Sequence, residues 1–369
     1  FRNVTRVQTC ALPILFSGMI PRSVVDLAAA MAKILPKPLT KSLFLNTGSE
    51  SNDAAIKMAK MYTGGFEVVG LGGSWHGVTG NAGAASFASD RKAYGPGMPG
   101  GHVIPEPNAY RCPVQHCKNT CDHTCMKVGF NLYDMQSTGS RAAVIAEPII
   151  SAGGVIVPPP GYFEALQAEA KKRNMLLIFD EAQTAFGRIG SWFAATQLGV
   201  TPDILTVSKT LGGGVPLAGV MTSQEIEQKV HERGFAFYTS HVSDPLPASV
   251  GLAVLETLVE ERLLERSVEM GEYLHKSLLE LQSRHEEIGD VRGMGLLRGV
   301  ELVKDRQTRE PHHELGAMTT QRCLELGLSM NIRRRPERGS VWRIAPPLDR
   351  KSTRLNSSHV SESRMPASA

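Results

Sequence analysis

Leu176-Leu177-Ile178-Phe179-Asp180-Glu181 is an apolar run that ends on two carboxylates. Such a run reads as a buried strand delivering an acid to the carboxyl edge of a parallel sheet, where open sheets place their ligand sites. Two chemistries fit. In one, Asp180 and Glu181 serve the magnesium of a nucleotide, as on a Walker B strand; that requires a G-x-x-x-x-G-K-[ST] loop, and the sequence contains none. In the other, the carboxylate faces a pyridinium nitrogen, a charge-assisted bond that keeps the ring protonated and able to draw electrons from a substrate carbanion. This second chemistry needs a lysine at a neighbouring strand end. Lys209 follows the apolar run Ile204–Val207 and enters Thr210-Leu211-Gly212-Gly213-Gly214, where backbone can bend sharply.

Two further groups would serve the same ligand. Gly48 and Ser49, in Asn46-Thr47-Gly48-Ser49-Glu50-Ser51-Asn52, precede a helical pattern, so their N–H groups can hold a phosphate at a positive helix end. Gly and Ser also begin many helices simply as caps, so this motif says little by itself. Trp75, in Trp75-His76-Gly77, offers an aromatic plate for a planar ring, with ordinary core packing as the alternative.

The elements that must position these groups alternate between helix and strand. Residues 24–35 and 51–62 carry apolar residues at helical spacing, and residues 42–46 read as a strand. Short apolar runs at 67–71, 142–145, 176–180, 204–207 and 217–221 supply further buried strands. This alternation predicts an α/β fold, a mostly parallel sheet covered by helices. A helix beginning near 251 leads into a segment of different texture, in which 289–304 and 341–344 read as strands beside helices. The division that follows is a large domain over residues 24–260 and a smaller α+β domain over 261–348.

Composition narrows the classes. With 369 residues, 42% hydrophobic and 21% charged, the profile is that of a globular enzyme rather than a disordered or fibrous chain. Apolar runs are interrupted before reaching about 18 residues, so no membrane span is expected. The net charge of +4 is small, the run Arg333-Arg334-Arg335 beside Pro336 reads as a solvated loop, and no basic stripe with interleaved aromatics points to nucleic acid. Six cysteines in a chain of this length, with no leader pattern, fit a reducing, cytoplasmic setting. Residues 1–14 and 349–369 lack the periodicity of the rest and resemble adapter-derived additions, with disordered natural tails as the alternative; read as additions, they leave 15–23 as the remnant of an N-terminal segment.

Taken together, NTGSESNDAAIKMAK, SWHGVTG, IAEPIISAGG, IFDEAQTAFGR, PDILTVSKTLGGGVPLAG, YTSHVSDPLPASVG, GDVRGMGLLRGVELVKDR, LSMNI and WRIAPPL resemble the class III aminotransferases of the fold-type I pyridoxal-phosphate group. Within that class the pattern is most similar to the 2,2-dialkylglycine decarboxylases. The resemblance covers nearly all of residues 15–348. It implies pyridoxal 5'-phosphate as cofactor, with Lys209 as its Schiff-base lysine and proton carrier. Asp180 would pair with the pyridinium, Gln183 with the phenolic oxygen, and Ala182 and Trp75 with the two ring faces. Gly48, Ser49 and Ser240, the last from a partner subunit, would hold the phosphate. Arg343 would receive the substrate carboxylate. The resemblance further implies amino acid and 2-oxo acid substrates and a homodimer or dimer of dimers with the site at the interface. A potassium ion would be held by Leu15, Ser17, Ser240, Val242 and Asp244, and a second alkali ion by carbonyls of Ala32, Leu35, Pro36 and Leu39. The implied reaction is decarboxylation of a 2,2-dialkylglycine coupled to transamination of pyruvate, giving a ketone, carbon dioxide and L-alanine; plain transamination is the alternative.

Three departures bear on that choice. Ser240 stands where the decarboxylases have threonine, Ala152 stands where they have a serine near the substrate, and a glutamine that helps position the leaving carboxylate would lie upstream of Leu15 and is missing from this chain. Apart from the resemblance, Cys112, Cys117, Cys121 and Cys125, with His116 and His123, form a compact cluster. It reads as a surface insertion of reduced thiols or a structural zinc site, although it lacks the paired C-x2-C knuckles of common zinc modules.

Overall fold

The structure, a computed structural model, describes residues 20–88, 95–112, 114, 121–335 and 339–349. Arg22–Ile34 (α1) turns Val24, Leu27 and Met31 inward at helical spacing. It leads through Leu39–Leu45 (β1) into Gly48–Thr63 (α2), whose start is fixed by a reciprocal capping box between Thr47 and Glu50 and whose end is set by Gly64 at φ +82°. Glu67–Leu71 (β2), Gly80–Ala84 (α3), Gly101–Ile104 (β3), Thr124–Gln136 (α4), Arg141–Ala146 (β4), Tyr162–Lys172 (α5), Leu176–Asp180 (β5), Ala194–Leu198 (α6) and Ile204–Val207 (β6) follow. After a 3-10 turn at Lys209–Gly212 come Ala218–Ser223 (β7), Gln224–Glu232 (α7), Pro245–Glu260 (α8) and Leu263–Arg284 (α9). Ile288–Met294 (β8), Leu297–Leu302 (β9), His313–Glu325 (α10), Asn331–Arg335 (β10) and Gly339–Ile344 (β11) complete the described chain.

Seven strands form one sheet in the order β1-β7-β6-β5-β4-β2-β3. Its pairs from β6 through β3 are parallel, and β7 runs antiparallel to both its neighbours. Strands β2, β5 and β6 are buried along their whole length because helices cover both faces. Alternate side chains go to opposite sides: Val69, Val144, Leu177, Phe179 and Leu205 join one core, and Val68, Ala143, Ile145, Ile178 and Ile204 join the other. The first core takes in α1, α4 and α5 through Leu27, Phe130 and Phe163; the second takes in α2 and α7 through Ile56 and Val230.

The second sheet is antiparallel, in the order β10-β11-β9-β8, over a core of Ile288, Val291, Val300, Leu302 and Trp342. The Arg333-Arg334-Arg335 run, expected in a loop, is strand backbone: Arg333 pairs with Val341 and Arg335 with Gly339. Two flanking expectations also shift. The helix anticipated from residue 251 starts at Pro245, where proline loses no helical hydrogen bond, and the strand expected at 42–46 runs from Leu39 to Leu45.

A half-buried ion cluster centred on buried Glu301 ties the small sheet to the segments that follow β3 and β4. Arg292 of β8 meets Asp290 at 2.7 Å and Glu301 at 2.6 Å, and Arg111 meets the other Glu301 oxygen. The remaining Arg292 donors go to the carbonyls of Gly154, at 2.7 Å, and Val155, at 3.1 Å. The segment following β4 is therefore held directly against β8, and β11, two strands away, is brought over the carboxyl edge of the large sheet.

Candidate active site

Strands β4, β5 and β6 end side by side, and each delivers a polar residue at or just beyond its carboxyl end: Glu147, Asp180 and Lys209. Asp180 is 3% exposed. Its Oδ2 accepts from Asn52 Nδ2 at 2.8 Å and lies 2.8 Å from His76 Nδ1, and its Oδ1 accepts from the Ala182 N–H at 3.1 Å. A carboxylate can only accept, so His76 Nδ1 is the donor in that pair. Burial alone would push the Asp180 carboxyl up, but the His76 hydrogen bond and the nearby charge of Lys209 outweigh it and hold the group below the usual carboxylate range. Asn52 is anchored in turn by Thr206 Oγ1, which donates to its Oδ1 at 2.7 Å. The result is an ionised acid, fixed in orientation, at the end of β5.

Lys209 begins the 3-10 turn after β6 at φ +51° and is exposed. The glycines that follow, Gly213 at φ +55° and Gly214 at φ +109°, allow the chain to turn away directly. Facing this turn is the start of α2. The capping box engages the N–H groups of Thr47 and Glu50, whereas those of Gly48 and Ser49 bond to no group among the described residues. Ser49 Oγ accepts from the Val78 N–H at 3.0 Å and the Thr79 N–H at 3.1 Å, tying this helix start to the segment that carries Trp75. Close packing makes glycine necessary at Gly77 and leaves little room at Gly48. A Cβ on Gly77, at φ +132°, would lie 2.2 Å from Ser49 Oγ, and one on Gly48 would lie 2.9 Å from Ser208 Oγ. Ser208 Oγ is buried without a hydrogen-bond partner among the described residues.

Trp75 is 37% exposed, so a broad part of its ring is free to cover a ligand. Ala182 and Gln183, two and three residues after Asp180, are half-buried. Arg343 on β11 reaches over from the small sheet and donates to Ser151 Oγ at 3.2 Å. The structure thus joins Gly48, Ser49, Trp75, Asp180, Ala182, Lys209 and Arg343 through direct contacts, chain adjacency or neighbouring strand ends, with Gln183 beside them. Ser240 is exposed on a separate segment, 239–244, and makes no bond to this group.

Asn52, His76, Glu147 and Ser151 belong to the site without having been assigned a role from the sequence. Glu147 accepts from the Trp75 N–H and the Ser151 N–H. Burial pushes its carboxyl up to about 7, against the lowering effect of His76 and these two N–H groups.

The donor set fits pyridoxal phosphate. Asp180 would supply the fixed anion for a ring nitrogen, Trp75 and Ala182 would supply apolar faces, and the two N–H groups at α2 that bond to no described group, with the orphaned Ser208 hydroxyl, would supply partners for a phosphate. The expected metal sites stand differently. Leu15 and Ser17 lie outside the described residues; Val242 is buried, and Asp244 accepts from His241 Nδ1 at 2.7 Å. At the second expected alkali site, the Pro36 carbonyl already accepts from the Leu39 N–H at 3.1 Å. Cys117 and His116 also lie outside the described residues. Burial, with Cys121 and Cys112 nearby, pushes the Cys125 thiol up to about 11. No group of three or more His, Cys, Asp or Glu side chains among the described residues could hold a metal ion, and no helix among them is long and apolar enough to cross a membrane.

This architecture, a seven-stranded mostly parallel sheet beside a small antiparallel one with a lysine and an acid at adjacent strand ends, is the fold-type I architecture of pyridoxal-phosphate-dependent transferases. The class-III aminotransferase family profile matches residues 4–357, and the chain belongs to that family. An uncharacterized aminotransferase of Schizosaccharomyces pombe is 47% identical over 335 residues, covering 90% of this chain and 75% of that protein. A leucine/methionine racemase of Thermococcus litoralis is 37% identical over 326 residues, covering 87% and 72%. Among solved structures, an omega transaminase from Pseudomonas jessenii in complex with PMP superposes with a TM-score of 0.83 at 27% identity, over 94% of this chain and 78% of that one.

Proposed function

We propose that this enzyme transfers the amino group of an α-amino acid to a 2-oxo acid, using pyridoxal phosphate bound between Trp75, Asp180 and the start of α2. The observation that carries the proposal is the buried, ionised Asp180, oriented by Asn52 and His76 at the strand end next to Lys209. Bound there, the cofactor supplies a protonated ring that withdraws electrons from the substrate α-carbon. The chain supplies the rest. Lys209 anchors the cofactor through its amine and moves the proton at the substrate carbon; Gln183 bonds the phenolic oxygen; Arg343 takes the α-carboxylate with a guanidinium fork shaped for it. Ser240 of a second copy completes the phosphate contacts in a homodimer.

The finer reading is decarboxylation of a 2,2-dialkylglycine coupled to amino transfer to pyruvate, with a potassium ion near Ser240 and Asp244. It is supported by the motif set from NTGSESN to WRIAPPL. Ala152, which removes a possible hydrogen bond where the decarboxylases have a serine near the substrate, favours the second reading, amino transfer without loss of carbon dioxide, and the family relatives named above are an aminotransferase and a racemase. Carbon dioxide release from 2-aminoisobutyrate, with pyruvate and potassium present, decides between them. Gas matched by acetone and alanine supports decarboxylation. No gas under conditions where other amino acids donate their amino group rejects it in favour of plain transfer, and no amino transfer from any amino acid rejects both.

A further inference from the structure

Glu147 lies one residue past β4 and is 3% exposed. It reaches two segments at once. Its Oε1 accepts the Trp75 N–H at 2.8 Å, and its Oε2 accepts the Ser151 N–H at 3.1 Å. The first segment carries the aromatic plate for the cofactor ring. The second carries the hydroxyl that accepts from Arg343 at 3.2 Å. We propose that Glu147 is a positioning residue: its carboxylate sets, through Ser151, the place of Arg343 relative to Trp75, and so the place at which a substrate carboxylate is held. This rests on the amino-acid reading given above.

The choice of a carboxylate has a physical reason. Two main-chain N–H donors reach the two different oxygens of one side chain, and a carboxylate offers an acceptor at both positions. A glutamine has one oxygen and would turn its NH2 against the other N–H, leaving a buried donor unpaired. Burying the anion here is costly, which is what pushes this carboxyl up to about 7, and a site that needed only to close one loop could use a neutral hydroxyl or amide. Arg292 restrains the same stretch from the opposite side through the Gly154 and Val155 carbonyls. Ser151 is therefore held from Glu147 on one flank and, three and four residues later, from the small sheet on the other.

Glu147→Gln in the cofactor-loaded full chain tests this by steady-state kinetics with an amino acid donor. The expected result is a rise of about tenfold in KM, the loss equivalent to one weakened charge-assisted hydrogen bond, with kcat moved far less. Ser151→Ala, which leaves both Glu147 bonds in place but removes the hydroxyl, should raise KM similarly, and the double variant should be no worse than either single one. A KM unchanged by Glu147→Gln, equal losses in kcat and cofactor occupancy with KM unmoved, or additive effects in the double variant would each overturn the proposal. Should Glu147→Gln fail to retain cofactor, an unchanged KM in Ser151→Ala overturns it alone. Failure of the amino-acid reading looks different, because the unmodified chain would then turn over no amino acid at all.

Discussion

Glu67→Gln should destabilise the protein strongly at neutral pH and much less in acid. Glu67 starts β2 and is 1% exposed. It accepts from Tyr133 Oη at 2.8 Å, Ser137 Oγ at 2.6 Å, and the Thr138 N–H and Oγ1 at 2.7 Å each, which closes the turn between α4 and β4. Burial alone would push the carboxyl up, but these donors outweigh it and hold the group down to about 2 from an ordinary 4.5. The partner agrees, since burial and the bond to Glu67 push the Tyr133 phenol up to about 12. A depression of that size corresponds to about 3 kcal/mol of stability at neutral pH. Because the folded-state pKa is lowered, this stability is present above about 4.5 and is lost as pH falls toward 2. The amide keeps one acceptor oxygen, so the expected loss at pH 7 is roughly 2–3 kcal/mol, shrinking to about 1 kcal/mol near pH 3. Urea denaturation of both proteins at the two pH values measures it. An equal loss at both, or a loss under about 0.5 kcal/mol at pH 7, would refute the electrostatic reasoning.

Glu181 carries the opposite sign. Burial pushes its carboxyl up to about 7, although the Ala194 and Ala195 N–H groups and Thr184 bond to it. Its contribution is present below about 4.5 and lost as pH rises through about 7, so Glu181→Gln should flatten the decline in stability between pH 5 and pH 8 by about 2 kcal/mol. Urea midpoints at the two pH values report it, and a wild-type stability that rises over that window contradicts the assignment. Arg343→Gln should raise KM for amino acids by about 30-fold, the value of one charge-assisted bond near 2 kcal/mol, while sparing cofactor binding. Steady-state kinetics with absorbance of the bound cofactor checks both.

Much of the large sheet was legible in the sequence. Glu67–Leu71, Leu176–Asp180 and Ile204–Val207 are strands with the bounds their apolar runs suggested, because strands covered on both faces must be apolar along their length. Gly101–Ile104 escaped notice because it is a short edge strand with only Ile104 fully buried. Asn331–Arg335 escaped because an arginine-rich strand carries no apolar signature, although its backbone pairs regularly with β11. The reacting groups were legible where chemistry and chain position coincide, as at Asp180 and Lys209. The residues that orient them were not, since their bonds span long stretches of chain: 128 residues from Asn52 to Asp180, 72 from Trp75 to Glu147, and 192 from Ser151 to Arg343. Periodicity carries no information at that range. Likewise, the sequence marked Gly77 only as part of a motif, and its steric reason, contact with Ser49, is visible only once α2 and the segment after β2 are packed together.

The most direct test of the account is to load the protein with pyridoxal phosphate, reduce it with borohydride and locate the modified residue by peptide mass spectrometry. The predicted result is one stable adduct per chain on Lys209, absent from Lys209→Ala. An adduct on another lysine as the principal product, or none in protein that is folded and saturated with cofactor, would contradict the assignment of this site.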